Sequence, residues 1–421
     1  MTALWCELAW LAGEAEPSAG VRVELDGERI AAVTAGAAPG DAERLAGLTI
    51  PGLANAHSHA FQRALRGRAQ GPGSFWTWRE QMLALAETID PDAYLRLARA
   101  TYAEMALAGV TLVGEFHYLH HGPGGVAYAD PNEMSRALLA AAAEAGIRIV
   151  LLDACYLRGG SARFRDASAE AWAARVAQLD GAGAAIHSVR AVDPEGARVV
   201  AAWAAERGAP LHAHVSEQPA ENAQTLEAHG VTPTALLAGA GALSPRFTAI
   251  HATHVTPADI ALLGGAGAAV CLCPTTERDL ADGVGPARAL ADAGARLALG
   301  SDSHAVIDLL EEARAVEMDE RLAGRERGRH SAAELLAAAT AGGYASLGLA
   351  GGGRIAAGAL ADLVTIGLDG VRLAGVPPAG AVFCATAADV RDVVVGGRRV
   401  VRDGAHVSID VAAELRAALA P

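Results

Sequence analysis

Residues 50 to 345 alternate eight times between a short apolar run and a segment with helix start and stop residues. Apolar runs of this length that alternate with helices indicate parallel strands joined by helical crossovers. Eight such units predict an α/β fold, the (β/α)8 TIM-like barrel. The predicted strands lie near residues 50–57, 111–117, 148–155, 184–191, 210–216, 247–253, 268–273 and 296–302.

The helix boundaries in this segment follow a regular pattern. Proline suits the first helical position, and glycine suits the residue after the last. A capping residue followed by proline therefore predicts helix starts at Asp90, Asp130, Asp193, Thr232 and Thr256. Two further pieces stand apart: an insertion after the first strand, residues 60–90, and a charged helix over residues 305–329, which we expect to be solvated.

Both ends of the chain show short strands and turns, such as the hairpin signal Asp26-Gly27. Each end alone is too short to bury a core. We therefore predict that the two ends pair into one small β-sandwich beside the barrel. The predicted boundaries are residues 1–50 and 350–421 for the sandwich and 51–349 for the barrel.

Charge and composition exclude several classes of protein. The net charge is −14 with no basic run, which disfavours nucleic acid and anionic membrane surfaces as partners. No apolar stretch reaches the roughly 18 residues that a membrane span requires. The N-terminus has no basic segment of the kind that opens a signal peptide. Five scattered cysteines form no disulfide framework, which favours the cytoplasm.

The chain contains no lysine. This excludes Schiff-base chemistry and a lysine general base. It also excludes a carbamylated lysine that bridges two metals, so any metal site must use His, Asp and Glu and is expected to hold one ion. Cys271-Leu-Cys273 lies inside an apolar run, where thiols pack, and the absence of Cys-x-x-Cys excludes the zinc deaminases built on that motif.

The predicted metal ligands lie at the carboxyl ends of three strands. His57 and His59, in Asn55-Ala-His57-Ser-His59, alternate by two and so point to one face of the first strand. His214 ends the fifth strand, and Asp302 follows the eighth. Barrel enzymes place their active sites at this face. We predict one divalent metal, with Zn2+ expected and Fe2+ or Mn2+ as alternatives.

Three acid–base groups accompany these ligands. A bound zinc lowers the pKa of a water molecule to about 7 and makes hydroxide available as a nucleophile. Asp302 can accept the proton of that water, Glu217 can shuttle the proton to a leaving nitrogen, and His251 can hydrogen-bond the developing tetrahedral centre. Glu217 could instead cap a surface turn. We interpret His212 as a packing or supporting residue and His254 and His304 as rim or supporting residues.

The same motifs resemble the amidohydrolase superfamily over nearly the whole chain. Pro51-Gly-Leu-Ala-Asn-Ala-His57-Ser-His59 is similar to its entry motif, Gly300-Ser-Asp302 to its strand-eight motif, and Gly353-Arg-Ile-Ala-Ala-Gly358 to its C-terminal signature. The set of ligands with Glu217 and His251 resembles the mononuclear deaminase branch. This resemblance implies hydrolytic loss of ammonia from a carbon that carries an amino nitrogen.

Local sequences resemble one family within that branch, the formimidoylglutamate deiminases of histidine degradation. They are His57-Ser-His-Ala-Phe-Gln62-Arg63, Ser74-Phe-Trp-Thr-Trp-Arg79-Glu80, Glu115-Phe-His-Tyr118-Leu-His-His121 and His187-Ser-Val-Arg190. The resemblance implies conversion of N-formimino-L-glutamate and water to N-formyl-L-glutamate and ammonia. It also implies a homodimer.

A dicarboxylate substrate requires arginines, because a guanidinium binds a carboxylate through two parallel hydrogen bonds. Arg79 in the insertion and Arg190 at the fourth strand are the candidates. The alternative for Arg79 is a solvated helix residue, and for Arg190 an ion pair with Asp193. Neutral hydrogen bonds are assigned to Gln62, Tyr118 and His187.

Other functions remain open at this point. A ring deaminase acting on a purine, pterin or triazine would favour aromatic and amide contacts over two arginines. Imidazolonepropionate hydrolysis and a non-catalytic binding barrel are further alternatives. The strand-seven loop also departs from the pattern of many relatives, which read Asn-Leu-Gly-Asp-Gly where this chain has Asp279-Leu-Ala281-Asp-Gly283, with Arg278 before it. This departure leaves the local loop shape undetermined.

Overall fold

The computed structural model describes residues 2–420, and its first four strands precede the barrel. Strands β2 and β3 pair antiparallel across the predicted Asp26-Gly27 turn. Strand β1 pairs antiparallel with β2 and parallel with β4. The bounds are β1 (Thr2–Ala9), β2 (Ser18–Asp26), β3 (Arg29–Thr34) and β4 (Glu43–Pro51).

Eight parallel strands form the barrel, which confirms the predicted fold class. They are β5 (Leu53–Ser58), β6 (Val110–His117), β7 (Arg148–Cys155), β8 (Gly183–Ile186), β9 (Leu211–Val215), β10 (Phe247–His251), β11 (Ala269–Leu272) and β12 (Arg296–Leu299). Each strand pairs with the next in chain order. Strand β8 ends before the predicted residue 191, so His187 and Arg190 lie on the loop after it.

The ring closes between the first and last barrel strands, at the predicted metal ligands. The backbone N–H of Asp302 donates to the carbonyl of His57 at 3.0 Å, and the N–H of His59 donates to the carbonyl of Asp302 at 3.1 Å. The side chains of His57 and His59, on the first barrel strand, therefore lie next to that of Asp302, which follows the last one. The Asn55 amide adds to this closure by accepting the N–H of Ser301 at 2.9 Å and donating to its hydroxyl at 2.7 Å, whereas the Asp302 side chain takes no part in it.

The helices surround the barrel and connect its strands. They are α1 (Phe75–Ala86), α2 (Pro91–Leu107), α3 (Glu133–Ala145), α4 (Ala169–Val176), α5 (Pro194–Arg207), α6 (Pro219–His229), α7 (Pro233–Gly239), α8 (Pro257–Gly265), α9 (Pro274–Asp279), α10 (Ala287–Asp292), α11 (Leu309–Gly324), α12 (Ala332–Ala337), α13 (Gly343–Ser346), α14 (Ala381–Cys384) and α15 (Val411–Ala418). No helix within residues 2–420 has both the length and the apolar character needed to cross a bilayer.

Two predictions about helices are wrong. The Asp130 start is misplaced, because α3 begins at Glu133 and Asp130 instead accepts the N–H of Asn132 at 2.9 Å. Helix α11 is not simply solvated, because one of its faces packs against the barrel and carries a fully buried Glu312. The carboxylate of Glu312 accepts the N–H of Thr275 at 2.9 Å, so a charged residue of α11 supports the first turn of α9 inside the protein.

The C-terminal strands join the N-terminal ones in a single sheet. They are β13 (Leu363–Ile366), β14 (Val390–Val395), β15 (Arg398–Arg402) and β16 (Ala405–His406). Strand β13 pairs antiparallel with β4, which gives the order β16-β15-β14-β13-β4-β1-β2-β3. The prediction of one β unit from both ends is confirmed, as a continuous mixed sheet. Only Gly52 separates β4 from the first barrel strand.

A buried ion network lies where β7 meets α4, beside the predicted site. The Arg175 guanidinium donates to both carboxylate oxygens of Asp153 at 2.9 Å and to those of Asp166 at 2.8 and 3.0 Å. All three side chains are buried. This guanidinium, together with neighbouring histidines, holds the pKa of Asp153 below its usual range although burial opposes it.

Replacing Arg175 with methionine is expected to lower the free energy of unfolding by about 3–5 kcal/mol, because Asp153 and Asp166 would be left buried and unpaired. Denaturant unfolding followed by circular dichroism measures this change. The control is Arg198→Met, which removes an exposed ion pair with Glu195 and is expected to change stability by less than about 1 kcal/mol. Equal effects of the two substitutions would contradict the prediction.

In the loop that follows β11 and α9, this chain has Ala281 where many relatives have glycine. Ala281 has φ +58°, a left-handed conformation that glycine adopts without strain. Ala281→Gly is therefore expected to raise the free energy of unfolding by about 0.5–1 kcal/mol, because relieved strain exceeds the added chain entropy of glycine. The same denaturation experiment on Ala293→Gly, where φ is −76°, should show no gain. A loss of stability in Ala281→Gly would refute this account.

Candidate active site and metal centre

The four predicted metal ligands lie together in the barrel mouth. The Nε2 atom of His57 is 3.2 Å from Oδ1 of Asp302, and Nε2 of His59 is 3.4 Å from the same oxygen. The Nε2 atom of His214 is 3.1 Å from Nε2 of His57. All four side chains are buried. Their ligand atoms therefore converge on one point at the ends of β5 and β9 and after β12.

Hydrogen bonds on the far side of two rings fix which nitrogen faces this point. Nδ1 of His59 donates to the carbonyl of Phe116, and Nδ1 of His214 donates to the carbonyl of His187, each at 2.8 Å. This pattern leaves the Nε2 lone pairs directed at the cluster. Burial lowers the pKa of both imidazoles, which favours the neutral form that binds metal.

The cluster fits a divalent cation. Lone pairs of neutral imidazoles and a carboxylate oxygen face one another at 3.1–3.4 Å. Such an arrangement is repulsive by itself and becomes favourable around a positive ion. Three imidazole nitrogens and one carboxylate are also a donor set that zinc accepts. The residues present therefore suit the expected metal.

The backbone is strained at the strand ends that carry the site. Ser216, His251 and Asp302 have φ values of +52°, +67° and +44°. Residues other than glycine rarely adopt this left-handed region, and such strain is concentrated at functional sites. The hydrogen bonds that close the barrel hold Asp302 in this conformation.

His251 lies among three carboxylates. Its Nδ1 is 3.3 Å from Glu277, and its Nε2 is 3.7 Å from Glu217 and 3.8 Å from Asp302. Burial by itself lowers the pKa of His251, but these carboxylates outweigh burial and raise that pKa to about 10. The ring can therefore donate a hydrogen bond from Nε2 toward the space between Glu217 and Asp302.

Sequence reasoning assigned no role to two carboxylates that support the site. Glu277 accepts the N–H of Cys273 at 2.9 Å and contacts the His251 ring. Glu115 accepts the hydroxyl of Ser58 at 2.6 Å and the N–H of Ala60 at 2.7 Å, on either side of His59. Both lie at or after strand ends, a signal that could have identified them.

A small cavity of about 50 Å3 lies above the metal ligands. Every predicted substrate-binding residue contributes to its lining, namely Gln62, Arg79, Tyr118, His187 and Arg190. Nε2 of Gln62 donates to the hydroxyl of Tyr118 at 2.8 Å, and the Arg79 guanidinium donates to the hydroxyl of Tyr156 at 3.3 Å. The structure thus places these side chains and Glu217 around one space.

The apolar wall of the cavity was not predicted from the sequence. Phe75, Trp78, Arg79 and Met82 lie on one face of α1 and line the cavity together. Their spacing of three and four residues is the helical periodicity that could have revealed this face. The insertion therefore covers the barrel mouth with one helix, and Arg79 is half-buried rather than solvated.

Arg190 does not pair with Asp193, so that alternative is wrong. The Asp193 carboxylate caps α5 by accepting the N–H of Gly196 at 2.8 Å. The Arg190 guanidinium instead donates to Glu217 at 3.1 Å and lies 3.3 Å from Glu221. Glu217, which follows β9, and Glu221, on α6, therefore hold this arginine at the edge of the cavity.

Three other histidines lie outside the metal cluster. Nε2 of His212 donates to the carbonyl of Ser346 at 3.0 Å, and Nε2 of His254 donates to the carbonyl of Asp282 at 2.8 Å. His304 contacts the hydroxyls of Ser58 and Ser301. These contacts are supporting ones. The loop departure at Arg278 is accommodated by an ion pair with Asp319 at 2.7 Å.

Comparison with known proteins agrees with the geometry. The amidohydrolase family model matches residues 48–400. Formimidoylglutamate deiminase from Pseudomonas aeruginosa is 38% identical over 92% of this chain and 92% of its own length. A 5-methylthioadenosine/S-adenosylhomocysteine deaminase from Natronomonas pharaonis is 31% identical over 88% of this chain and 85% of its own. The crystal structure of an amidohydrolase from Brucella melitensis has a TM-score of 0.91 and 33% identity, covering 100% of this chain and 99% of that one.

These relatives confirm the reaction class that the sequence predicted. The match spans the whole barrel and the strands β13 and β14 of the terminal sheet. The two similar enzymes are named for different substrates and share the removal of nitrogen from carbon. The chain belongs to the amidohydrolase family, and it is a hydrolase of the deaminase type that acts on carbon–nitrogen bonds.

Proposed function

We propose that this protein converts N-formimino-L-glutamate and water to N-formyl-L-glutamate and ammonia in histidine degradation. One observation carries the proposal: two arginines, Arg79 and Arg190, line the same cavity as the metal cluster and Glu217. The proposed substrate has two carboxylates and one amidine head, so its charges match this arrangement. A purine, pterin or triazine ring offers no carboxylates to such a pair.

The proposed cofactor is one divalent metal ion per chain. His57, His59, His214 and Asp302 would hold it, and zinc is the proposed ion, with Fe2+ or Mn2+ as alternatives. When bound, the ion would supply Lewis-acid activation of water and a positive charge beside the reacting carbon. The carbonyl groups of Phe116 and His187 fix the ring orientations of His59 and His214 before the metal binds.

The residues of the chain account for the proton transfers. Water adds to the formimino carbon while Glu217 accepts its proton, with Asp302 as a second acceptor beside it. Glu217 then passes the proton to the terminal nitrogen of the protonated amidine, Asp302 accepts the proton of the added hydroxyl, and the carbon–nitrogen bond breaks as the carbonyl forms and ammonia leaves. Nε2 of His251 points between the two carboxylates and can donate to the oxygen of the tetrahedral centre.

The proposal also covers the location and the oligomeric state of the protein. We propose that it is a cytoplasmic homodimer that binds a small dicarboxylate substrate. All five cysteines are free, which supports a reducing compartment. The dimer is supported by the family resemblance, and sedimentation of the purified chain tests it.

The test is hydrolysis by purified, metal-loaded protein, followed as ammonia release and, for imidazolonepropionate, whose ring opening frees no ammonia, as product mass. N-formimino-L-glutamate, 5-methylthioadenosine, 8-oxoguanine and imidazolonepropionate are compared at equal concentration, and the products are identified by mass. Ammonia and N-formylglutamate from the first substrate alone support the proposal. Faster turnover of a ring substrate, or of imidazolonepropionate, would replace the proposed substrate and leave the hydrolase chemistry in place.

Arg79→Gln is expected to raise KM for N-formimino-L-glutamate about 10- to 100-fold with a smaller effect on kcat. The reason is the loss of a charge-assisted pair with a carboxylate that does not react, which is worth about 1.5–3 kcal/mol. Steady-state kinetics of ammonia release measure it. Arg96→Gln, an exposed arginine on α2, is the control and should leave KM unchanged. An unchanged KM in Arg79→Gln would remove this residue from the binding site.

A further inference from the structure

Arg190 lies between two carboxylates that differ in how firmly they are held. Its Nη2 donates to Glu217 at 3.1 Å, and its Nε lies 3.3 Å from Glu221. Glu221 is fully buried, and its other oxygen accepts the N–H of Ser216 at 3.1 Å. Glu221 is thus fixed to the backbone at the end of β9.

Glu217 is held more loosely than Glu221. It lines the cavity, and its other oxygen has His251 at 3.7 Å, which is beyond hydrogen-bond range. The Phe75 ring lies 5.7 Å from the Arg190 guanidinium and covers it from α1. A carboxylate that enters the cavity therefore reaches an arginine that already has two anionic partners.

One guanidinium carries a single positive charge and cannot neutralise three carboxylates, so one of them must yield. Glu221 is fully buried and anchored to Ser216, whereas Glu217 lines the cavity. The incoming carboxylate should therefore displace Glu217 from the guanidinium. Without the hydrogen bond from Arg190, that oxygen of Glu217 is free to accept a proton from water, so this displacement makes the proton shuttle available.

We propose that Glu221 is a positioning residue that holds Arg190 in place, and that a substrate carboxylate displaces Glu217 from the Arg190 guanidinium and so frees the proton shuttle only when an anionic substrate is bound. This inference rests on the proposed function for the roles of Arg190 and Glu217. It makes carboxylate recognition a condition of catalysis, so that an amidine without carboxylates loses kcat as well as affinity.

The test uses glutarate, a dicarboxylate without an amidine, titrated by calorimetry into the full-length, metal-loaded protein. Glu217→Gln is expected to bind glutarate about tenfold more tightly than the wild type, because an ion pair with Arg190 no longer has to be displaced. Glu227→Gln removes an exposed charge on α6 that does not touch Arg190 and should change affinity less than about twofold.

Two double variants test the anchor. The gain from Glu217→Gln should disappear in an Arg190→Gln background and shrink below about twofold in a Glu221→Gln background, since coupled residues give non-additive effects. A merely structural Glu221 would leave that gain intact. Weaker or equal glutarate binding by Glu217→Gln, an equal gain in Glu227→Gln, or no binding to any form would overturn the proposal.

Ammonia release from N-formimino-L-glutamate by the wild type is measured in parallel. If the wild type releases ammonia but Glu217→Gln does not bind glutarate more tightly, the proposed function stands and the displacement of Glu217 is refuted. If Glu217→Gln binds glutarate more tightly but the wild type releases no ammonia, the displacement stands and the proposed substrate is refuted.

Discussion

Asp302→Asn is expected to lose bound metal and about 10^3-fold or more in kcat, because a metal supplies several kcal/mol of transition-state stabilisation. Asp302 is the single carboxylate of the proposed ligand set, and its Oδ1 lies 3.2 and 3.4 Å from the Nε2 atoms of His57 and His59. Asparagine keeps the shape of this side chain but brings no negative charge. Metal content by atomic emission and ammonia release by a coupled assay give the two readouts.

The variant should still fold, because the backbone of Asp302 closes the barrel and its side chain does not. The matched control is Asp319→Asn on α11. It removes the carboxylate that pairs with Arg278 of α9. It should keep full metal content and activity. An Asp302→Asn protein that retains one metal per chain and normal turnover would exclude Asp302 from both the metal site and the chemistry.

Glu217→Gln is expected to lower kcat by about 10^2- to 10^4-fold while metal content stays at the wild-type value, because the loss is that of a general acid–base group. Glutamine keeps the size of the side chain and can still accept a hydrogen bond from Arg190. It cannot take a proton from water or deliver one to the leaving nitrogen. Metal analysis and single-turnover ammonia release therefore separate this variant from Asp302→Asn.

The matched control is Glu227→Gln, the same chemical change on the exposed part of α6. Its kcat and metal content should both equal those of the wild type. If Glu217→Gln turns over normally, another group must shuttle the proton, and Asp302 would be the next candidate. If Glu217→Gln loses its metal, the residue supports the metal cluster and the two sites are not separable.

The sequence was sufficient for the fold because strand and helix signals are local. Apolar runs, capping residues and glycines lie within a few positions of the boundaries that they set, and Asp90, Asp193, Thr232 and Thr256 cap helices as predicted. Asp130 failed because a neighbouring N–H offered its carboxylate another local partner.

The candidate metal cluster was also accessible from the sequence, for a related reason. The carboxyl ends of parallel strands meet at one face of a barrel, so residues at those ends become neighbours wherever they occur in the chain. His57, His214 and Asp302 meet in this way. The burial of charge was not accessible from the sequence. Helix α11 has the composition of a solvated helix, and only the contact of Glu312 with Thr275 shows that one of its charges is buried.

The sequence by itself determined the barrel, the terminal sheet and the residues that meet at the ends of β5, β9 and β12. Only the tertiary structure decided which carboxylates hold Arg190. The physical reason is that an ion pair forms with whichever opposite charge packing brings within about 4 Å. Asp193, three residues away, is occupied by a helix cap, whereas Glu217 and Glu221 reach Arg190 through the fold.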